Sequence, residues 1–193
     1  MENINIKKRI LLTGASGTVG FETLKHLVKN SNYEITVFDV KTPKSVKKLA
    51  PFLRRVEIVY GDICSASDVE KVSYNKDFAI HLAAIIPPLA DINPELAYRV
   101  NVKGTENLIH ALEKNSPQCH FLFSSSISVY GDRLSNPEIF VTDPLTPSPG
   151  DQYGETKVLC EKAIQQSNLS WSIFRLAAIM GNHKISKLIE KKL

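Results

Sequence analysis

Short, nearly continuous apolar runs along this chain alternate with longer stretches in which apolar residues return every third or fourth position. This is the pattern of strands separated by amphipathic helices. Ile10-Leu11-Leu12-Thr13 reads as a first strand, and Phe21, Leu24, Leu27 and Val28 mark one face of a helix behind it. The alternation continues with a strand over Glu34–Phe38, a helix between Lys44 and Leu53, a strand over Val56–Tyr60, a helix over Ser65–Val72 and a strand over Phe78–Leu82. A long helix is predicted over Pro94–Glu113, then a strand over Cys119–Phe123, a helix from Tyr153 to about Ser167 and a strand over Trp171–Leu176. Strands that alternate with helices predict parallel pairing through right-handed crossovers, hence an α/β fold with a doubly wound parallel sheet. No internal repeat interrupts this order. The one long irregular stretch, Gly131–Gly150, carries Pro137, Pro144, Pro147 and Pro149, and a loop of that length in a compact domain predicts a functional role.

The first strand runs directly into Gly14-Ala15-Ser16-Gly17-Thr18-Val19-Gly20, which opens the first helix. A pyrophosphate must approach the free N–H groups of a helix start closely, and glycines remove the side chains that would hold it away. The first gap is one residue longer than in the Gly-x-Gly-x-x-Gly fingerprint, and an ordinary tight turn would show similar glycines. The second strand strengthens the dinucleotide reading, because it ends at Asp39, about 20 residues on, where such folds set an acid against the adenosine ribose. A carboxylate there accepts from both ribose hydroxyls and repels a 2′-phosphate. The expected cofactor is therefore NAD, with NADP disfavoured, although Lys41 and Lys44 follow closely.

Tyr153 and Lys157 are four apart on a predicted helix and so share a face. A phenol with a reference pKa near 10 must drop by about 3 units, roughly 4 kcal/mol, to act as a base near neutrality. One cation at about 4 Å supplies about 4 kcal/mol at an effective dielectric of about 20. The spacing therefore predicts a base activated by its lysine. The pair follows a strand that ends in Ser124-Ser125-Ser126, at the sheet's carboxyl edge where doubly wound folds bind ligands.

The 193 residues fit one domain, and 43% hydrophobic with 23% charged residues is ordinary for a globular protein. The net charge of +4 is small and its lysines are scattered, which argues against a nucleic-acid partner. No apolar run approaches the roughly 20 residues needed to cross a bilayer, and the first residues lack a secretory core. Three widely spaced cysteines, Cys64, Cys119 and Cys160, predict a reduced, cytoplasmic setting. The histidines show no metal-ligand spacing, and His81, on an apolar strand, reads as structural.

The motifs together resemble an extended short-chain dehydrogenase/reductase of the NAD-dependent epimerase/dehydratase family. Beyond the Thr13–Gly20 turn and Asp39, the likeness runs through Gly61-Asp62-Ile63, His81-Leu82-Ala83-Ala84, Asn101-Val102-Lys103-Gly104-Thr105, Ser124-Ser125-Ser126, Val129-Tyr130-Gly131, Tyr153-Gly154-Glu155-Thr156-Lys157 and Arg175. The resemblance implies a Rossmann-type sheet in three α/β/α layers. It also implies that Asp62 and Ile63 hold the adenine, that Leu82, Ala83 and Ala84 line the cofactor, and that Gly14, Gly17, Thr18, Val19 and Gly20 hold its phosphates. Asn101, grouped with the cofactor-binding positions, resembles a residue that supports the active-site water and backbone geometry.

By the same resemblance Ser126 orients the reacting oxygen, Tyr153 takes its proton, Lys157 tunes Tyr153 and holds the ribose, and Ser124 lies nearer the cofactor. The implied activity is hydride transfer at a secondary alcohol of a sugar or nucleotide sugar, as an epimerase or a dehydrogenase. Dehydratases and decarboxylases of the group carry carboxylates where this chain has Ile127 and Ser128, which disfavours those reactions. Ala178 and Ile179 replace an asparagine and proline of nucleotide-sugar members.

Relatives continue beyond the last strand into a substrate lobe, so residues 177–193 read as its remnant, within a single domain over 1–193. Two alternatives remain open: an NAD-binding module without its own turnover, and a simple dehydrogenase of a small hydroxy compound. The resemblance also suggests a homodimer through the helices at Pro94–Glu113 and Tyr153–Ser167, where Leu96, Val100, Leu108, Val158 and Leu159 face either a partner or the sheet.

Overall fold

A computed structural model of the chain describes residues 7–177. Six strands form one sheet: β1 Lys8–Thr13, β2 Tyr33–Asp39, β3 Glu57–Tyr60, β4 Phe78–His81, β5 His120–Ser126 and β6 Ser170–Leu176. Their order is β3-β2-β1-β4-β5-β6, and every neighbouring pair is parallel. The helices between them are α1 Thr18–Leu27, α2 Pro43–Leu49, α3 Ala66–Val72, α4 Leu89–Ile92, α5 Pro94–Ala97, α6 Gly104–Asn115 and α7 Gln152–Gln166. This is the expected doubly wound fold. The strand order reverses between β1 and β4, so their carboxyl ends open a crevice.

Alternate side chains of one strand serve opposite layers. Leu11 faces a core built with α3, α6 and α7, whose buried members include Val69, Leu108, Leu112 and Ile164, while Leu12 faces Leu24 of α1, Leu49 of α2 and Phe52 just beyond it. Each such fully buried apolar side chain contributes about 1.5–3 kcal/mol. Over β4–β6 the second face instead carries an open apolar groove with Ile80, Leu122, Phe174 and Leu176, and Phe174 is exposed.

Apart from the long helix over Pro94–Glu113, the predicted elements are present with altered ends. Pro51 cannot continue a hydrogen-bonded helix, so α2 stops at Leu49 and passes into a 3-10 turn over Ala50–Phe52. Strand β5 runs on through all three serines. The single helix expected over Pro94–Glu113 is broken. Asn93 caps α5, and Tyr98–Lys103 is π-helical, with the Gly104 N–H reaching back to the Arg99 carbonyl. There the Asn101 carbonyl accepts from Thr105 Oγ1 at 2.5 Å and Cys160 Sγ at 3.0 Å, so side chains occupy an acceptor of the regular ladder.

Leu108 and Val158 turn inward, while Leu159 stays exposed. The residues at 178–193, on which the lobe-remnant expectation falls, lie outside the described residues.

Candidate functional site

The glycine turn is pressed against the end of β4. Gly14 has φ +71°, and a Cβ there would lie 2.6 Å from the Ala83 nitrogen. A Cβ on Gly20 would overlap the Gly14 carbonyl, so α1 packs onto the turn only through a glycine. Gly17 caps α1 without a side-chain hydrogen bond, which leaves its first-turn donors without a side-chain cap. Asp39 is 7% exposed; its Oδ2 accepts from the Ser16 N–H at 2.6 Å and its Oδ1 from the Val40 N–H at 2.8 Å.

A cavity of about 660 Å³ lies over this turn. Of the residues expected there, Gly14, Gly17, Asp39, Asp62, Ile63, Leu82, Ala83 and Ala84 line it. Phe38, Cys64, Leu96, Arg99 and Val100 join them without any sequence motif, the last two carried there by the π-helical segment.

Beneath the turn runs a buried polar chain. His81 Nδ1 lies 2.7 Å from Thr13 Oγ1 and Nε2 lies 2.9 Å from Thr105 Oγ1. Thr105 spends its proton on the Asn101 carbonyl, so His81 carries its proton on Nε2 and accepts from Thr13 at Nδ1, an assignment made from the network. Thr13 Oγ1 in turn accepts from the Leu82 and Ala83 N–H groups.

Burial, with the nearby Lys157 charge, pushes His81 down to about 3. The unfolded chain therefore takes up a proton below pH 6.5 that the folded chain refuses until about pH 3. Stability should fall through that window by an amount on the order of 3–5 kcal/mol. Urea midpoints measured from pH 7 to 3 should show this extra loss in the wild type but not in His81→Gln, which cannot charge.

The second half of the site is a cavity of about 610 Å³ lined by Gly14, Gly17, Thr18, Val19, Gly20, Leu82 and Ala84 on one side and by Ser124, Ser126, Tyr153 and Lys157 on the other. Asp151 caps α7 by accepting from the Gly154 N–H at 2.8 Å, which starts the helix where Tyr153 and Lys157 share its inner face. Lys157 is 3% exposed and donates to the Ser124 carbonyl at 2.7 Å; its ammonium lies 4.5 Å from the Phe123 ring centroid and 5.5 Å from that of Tyr153.

Burial brings Lys157 down to about 8, against the neighbouring Cys160 and Glu161, which favour the charge. Burial, aided by Asp151 and Cys160, pushes the phenol up to about 12, while one donor of the Lys157 ammonium is given to the Ser124 carbonyl. Ser126 Oγ donates to Ser128 Oγ at 3.0 Å and accepts from the Ser128 N–H at 3.2 Å.

Asn101 does not line either cavity. It sits 2% exposed behind the site, taking the Ile85 N–H at 2.7 Å and giving to the Ile85 carbonyl at 3.0 Å and Thr156 Oγ1 at 3.1 Å. It thereby ties the irregular segment that follows β4 to α7.

One turn after Lys157, fully buried Glu161 accepts from Ser125 Oγ at 2.5 Å and from Arg175 Nη2 at 2.8 Å, and Ser125 and Arg175 face each other across β5 and β6. Arg175 continues to Tyr130 Oη at 2.5 Å and the Val141 carbonyl at 2.8 Å. The readable signal for Glu161 was its position four residues after Lys157 on the same inward face.

The model of the family described as NAD dependent epimerase/dehydratase matches residues 10–193. This chain belongs to that family. Among curated relatives, D-erythronate dehydrogenase of Haemophilus influenzae is 30% identical over 158 residues, covering 81% of this chain and 49% of the relative. The 3-beta-hydroxysteroid dehydrogenase of Mycolicibacterium neoaurum is 34% identical over 167 residues, covering 83% and 43%. Among solved structures, the UDP-glucuronic acid 4-epimerase of Bacillus cereus, in complex with UDP-glucuronic acid and NAD, is 26% identical with a TM-score of 0.72, covering 86% of this chain and 55% of the other. The chain thus spans about half the length of the curated relatives it matches. The glycine turn, Asp39 and the Ser126, Tyr153 and Lys157 side chains are gathered at the sheet's carboxyl edge.

Proposed function

We propose that this chain binds NAD across the β1/β4 crevice and serves an NAD-dependent oxidation or epimerisation of a secondary alcohol, of a sugar or nucleotide sugar. The observation that carries this reading is that Ser126, Tyr153 and Lys157 line one cavity with the Gly17–Gly20 helix start, so a reacting carbon and a dinucleotide can meet there. The adjoining cavity suits the adenosine half: Asp39 is placed for the ribose hydroxyls, and its charge disfavours a 2′-phosphate. When bound, NAD supplies the hydride-transfer chemistry.

The chain's own residues handle the proton. Ser126 Oγ, by turning from Ser128, would hold the substrate oxygen beside the phenol. Tyr153 would take the hydroxyl proton in oxidation and return it in reduction. At about 12 the free phenol keeps its proton near neutrality, and its use as a base would require a lower pKa, which falls to the Lys157 ammonium with the donors it has beyond the one on the Ser124 carbonyl. Ile127 and Ser128 offer no carboxylate beside the reacting carbon, which supports hydride transfer without dehydration. The dehydrogenase relatives support simple oxidation as readily as epimerisation. A cytoplasmic setting belongs to this reading; among the described residues no helix is long and apolar enough to cross a membrane.

The test is turnover of aldonates, UDP-sugars and simple secondary alcohols with NAD, followed by the absorbance of the reduced nicotinamide and by separation of epimers. Tyr153→Phe should lower kcat by about 10²–10⁴-fold with NAD affinity nearly unchanged. Equal turnover in wild type and Tyr153→Phe contradicts the assignment. NAD binding without turnover of any compound in the panel supports the binding module instead.

A further inference from the structure

Lys48 extends from α2 to the back of the glycine turn. Its ammonium donates to the Ser16 carbonyl at 2.9 Å and the Gly17 carbonyl at 3.0 Å, and lies 4.6 Å from the centroid of the Phe21 ring. A trans peptide carries its C=O and N–H on opposite sides, so holding a carbonyl also aims the N–H of the same unit. The two units held by Lys48 carry the Gly17 N–H, which donates to the Gly14 carbonyl at 3.0 Å, and the Thr18 N–H, the first of the uncapped helix α1.

The Gly17 carbonyl already accepts from the Phe21 N–H at 3.1 Å, so Lys48 is a second donor to it. Asp39 grips the same turn through the Ser16 N–H. The turn is thus held between an acid that ends β2 and a base on the next helix, and Thr18 lines the catalytic-side cavity.

We propose that Lys48 is a positioning residue for the diphosphate of a bound dinucleotide: by holding the Ser16 and Gly17 carbonyls it keeps the Thr18 N–H aimed at the anion. This rests on the NAD-binding reading above. It separates the work of the two clamps, since Asp39 would serve the ribose and Lys48 the phosphates. The hydrogen bonds of Lys48 go to main-chain carbonyls and its ammonium lies over the Phe21 ring, so its loss should leave the adenosine pocket intact.

Calorimetric titrations of wild type, Lys48→Met and Lys48→Arg with NAD, ADP and adenosine, at low salt and at about 0.5 M salt, test this. Lys48→Met should bind NAD and ADP about tenfold more weakly, with adenosine affinity within about twofold of wild type and a melting temperature close to it. Lys48→Arg should recover most of the loss, and the deficit should persist at high salt. Undiminished binding of NAD and ADP by Lys48→Met overturns the proposal. So does an equal loss for adenosine, which would mean general damage, or a deficit that vanishes at high salt, which would mean only a distant charge. Wild type that binds neither NAD nor ADP overturns the NAD-binding reading itself, and this proposal with it.

Discussion

Glu161→Gln should destabilise the fold by about 3 kcal/mol, the low end of the range for removing one partner of a buried ion pair. Glu161 is fully buried and bonds Ser125 and Arg175 at once. The neutral amide keeps the shape but leaves the Arg175 guanidinium without its counter-charge. The low end applies because that guanidinium's side chain retains 15% exposure and keeps Tyr130 and the Val141 carbonyl as acceptors.

The loss should fall on α7 in particular. Glu161 and Lys157 are one turn apart and dock onto neighbouring residues of β5, so a loosened Glu161 loosens the Lys157 contact with Ser124. Replacing both partners in Glu161→Gln/Arg175→Met should recover part of the loss, since no buried charge is then unpaired. Urea denaturation of the three proteins checks this. A single variant as stable as wild type would mean that the pair does not hold the helix.

Lys157→Met should produce the opposite pair of effects: a more stable fold and a loss of turnover of about 10² or more. The drop in the Lys157 pKa from 10.5 to about 8 means that folding charges a price of about 3 kcal/mol for carrying the ammonium inside. Methionine fills similar space without charge, at the cost of leaving the Ser124 carbonyl without this donor, about 1–3 kcal/mol.

The net gain at neutral pH is about 1 kcal/mol, a rise in Tm of roughly 2–4 °C. The sign follows from proton binding. Between about pH 8 and 10.5 the unfolded chain holds a proton that the folded chain has released, so wild-type stability rises through that window. The advantage of Lys157→Met should shrink over the same window and disappear above it. A variant that is less stable than wild type at pH 7 would contradict the burial cost. Stability given up at a buried lysine is expected where the group serves function.

The fold was legible because its signals are local and periodic: the apolar runs of β1, β2 and β5 and the glycine turn before α1 need only neighbouring residues to be read. The candidate residues at Asp39, Ser126, Tyr153 and Lys157 were legible for a related reason, since each sits at a fixed offset from a strand end or a helix start. What escaped depends on partners far along the chain. The π-helical turn at Tyr98–Lys103 comes with a carbonyl taken by Cys160, 59 residues on, and Arg99 reaches the cavity beside Asp39 through that turn.

Glu161 and Arg175 become a pair only once β5 and β6 lie side by side, and Lys48 meets the glycine turn only after α2 has crossed back. The state of Tyr153 also escaped. Spacing put Lys157 near the ring, but the depth of the pocket and the pull of the Ser124 carbonyl decide where the ammonium points.

The most direct test of the central claim is a calorimetric titration of the chain with NAD and NADP, repeated with Asp39→Ala. Saturable binding of NAD, with NADP weaker in the wild type and the preference lost or reversed in Asp39→Ala, is the predicted result. Equal binding of the two cofactors by the wild type, or no binding of either, would contradict it.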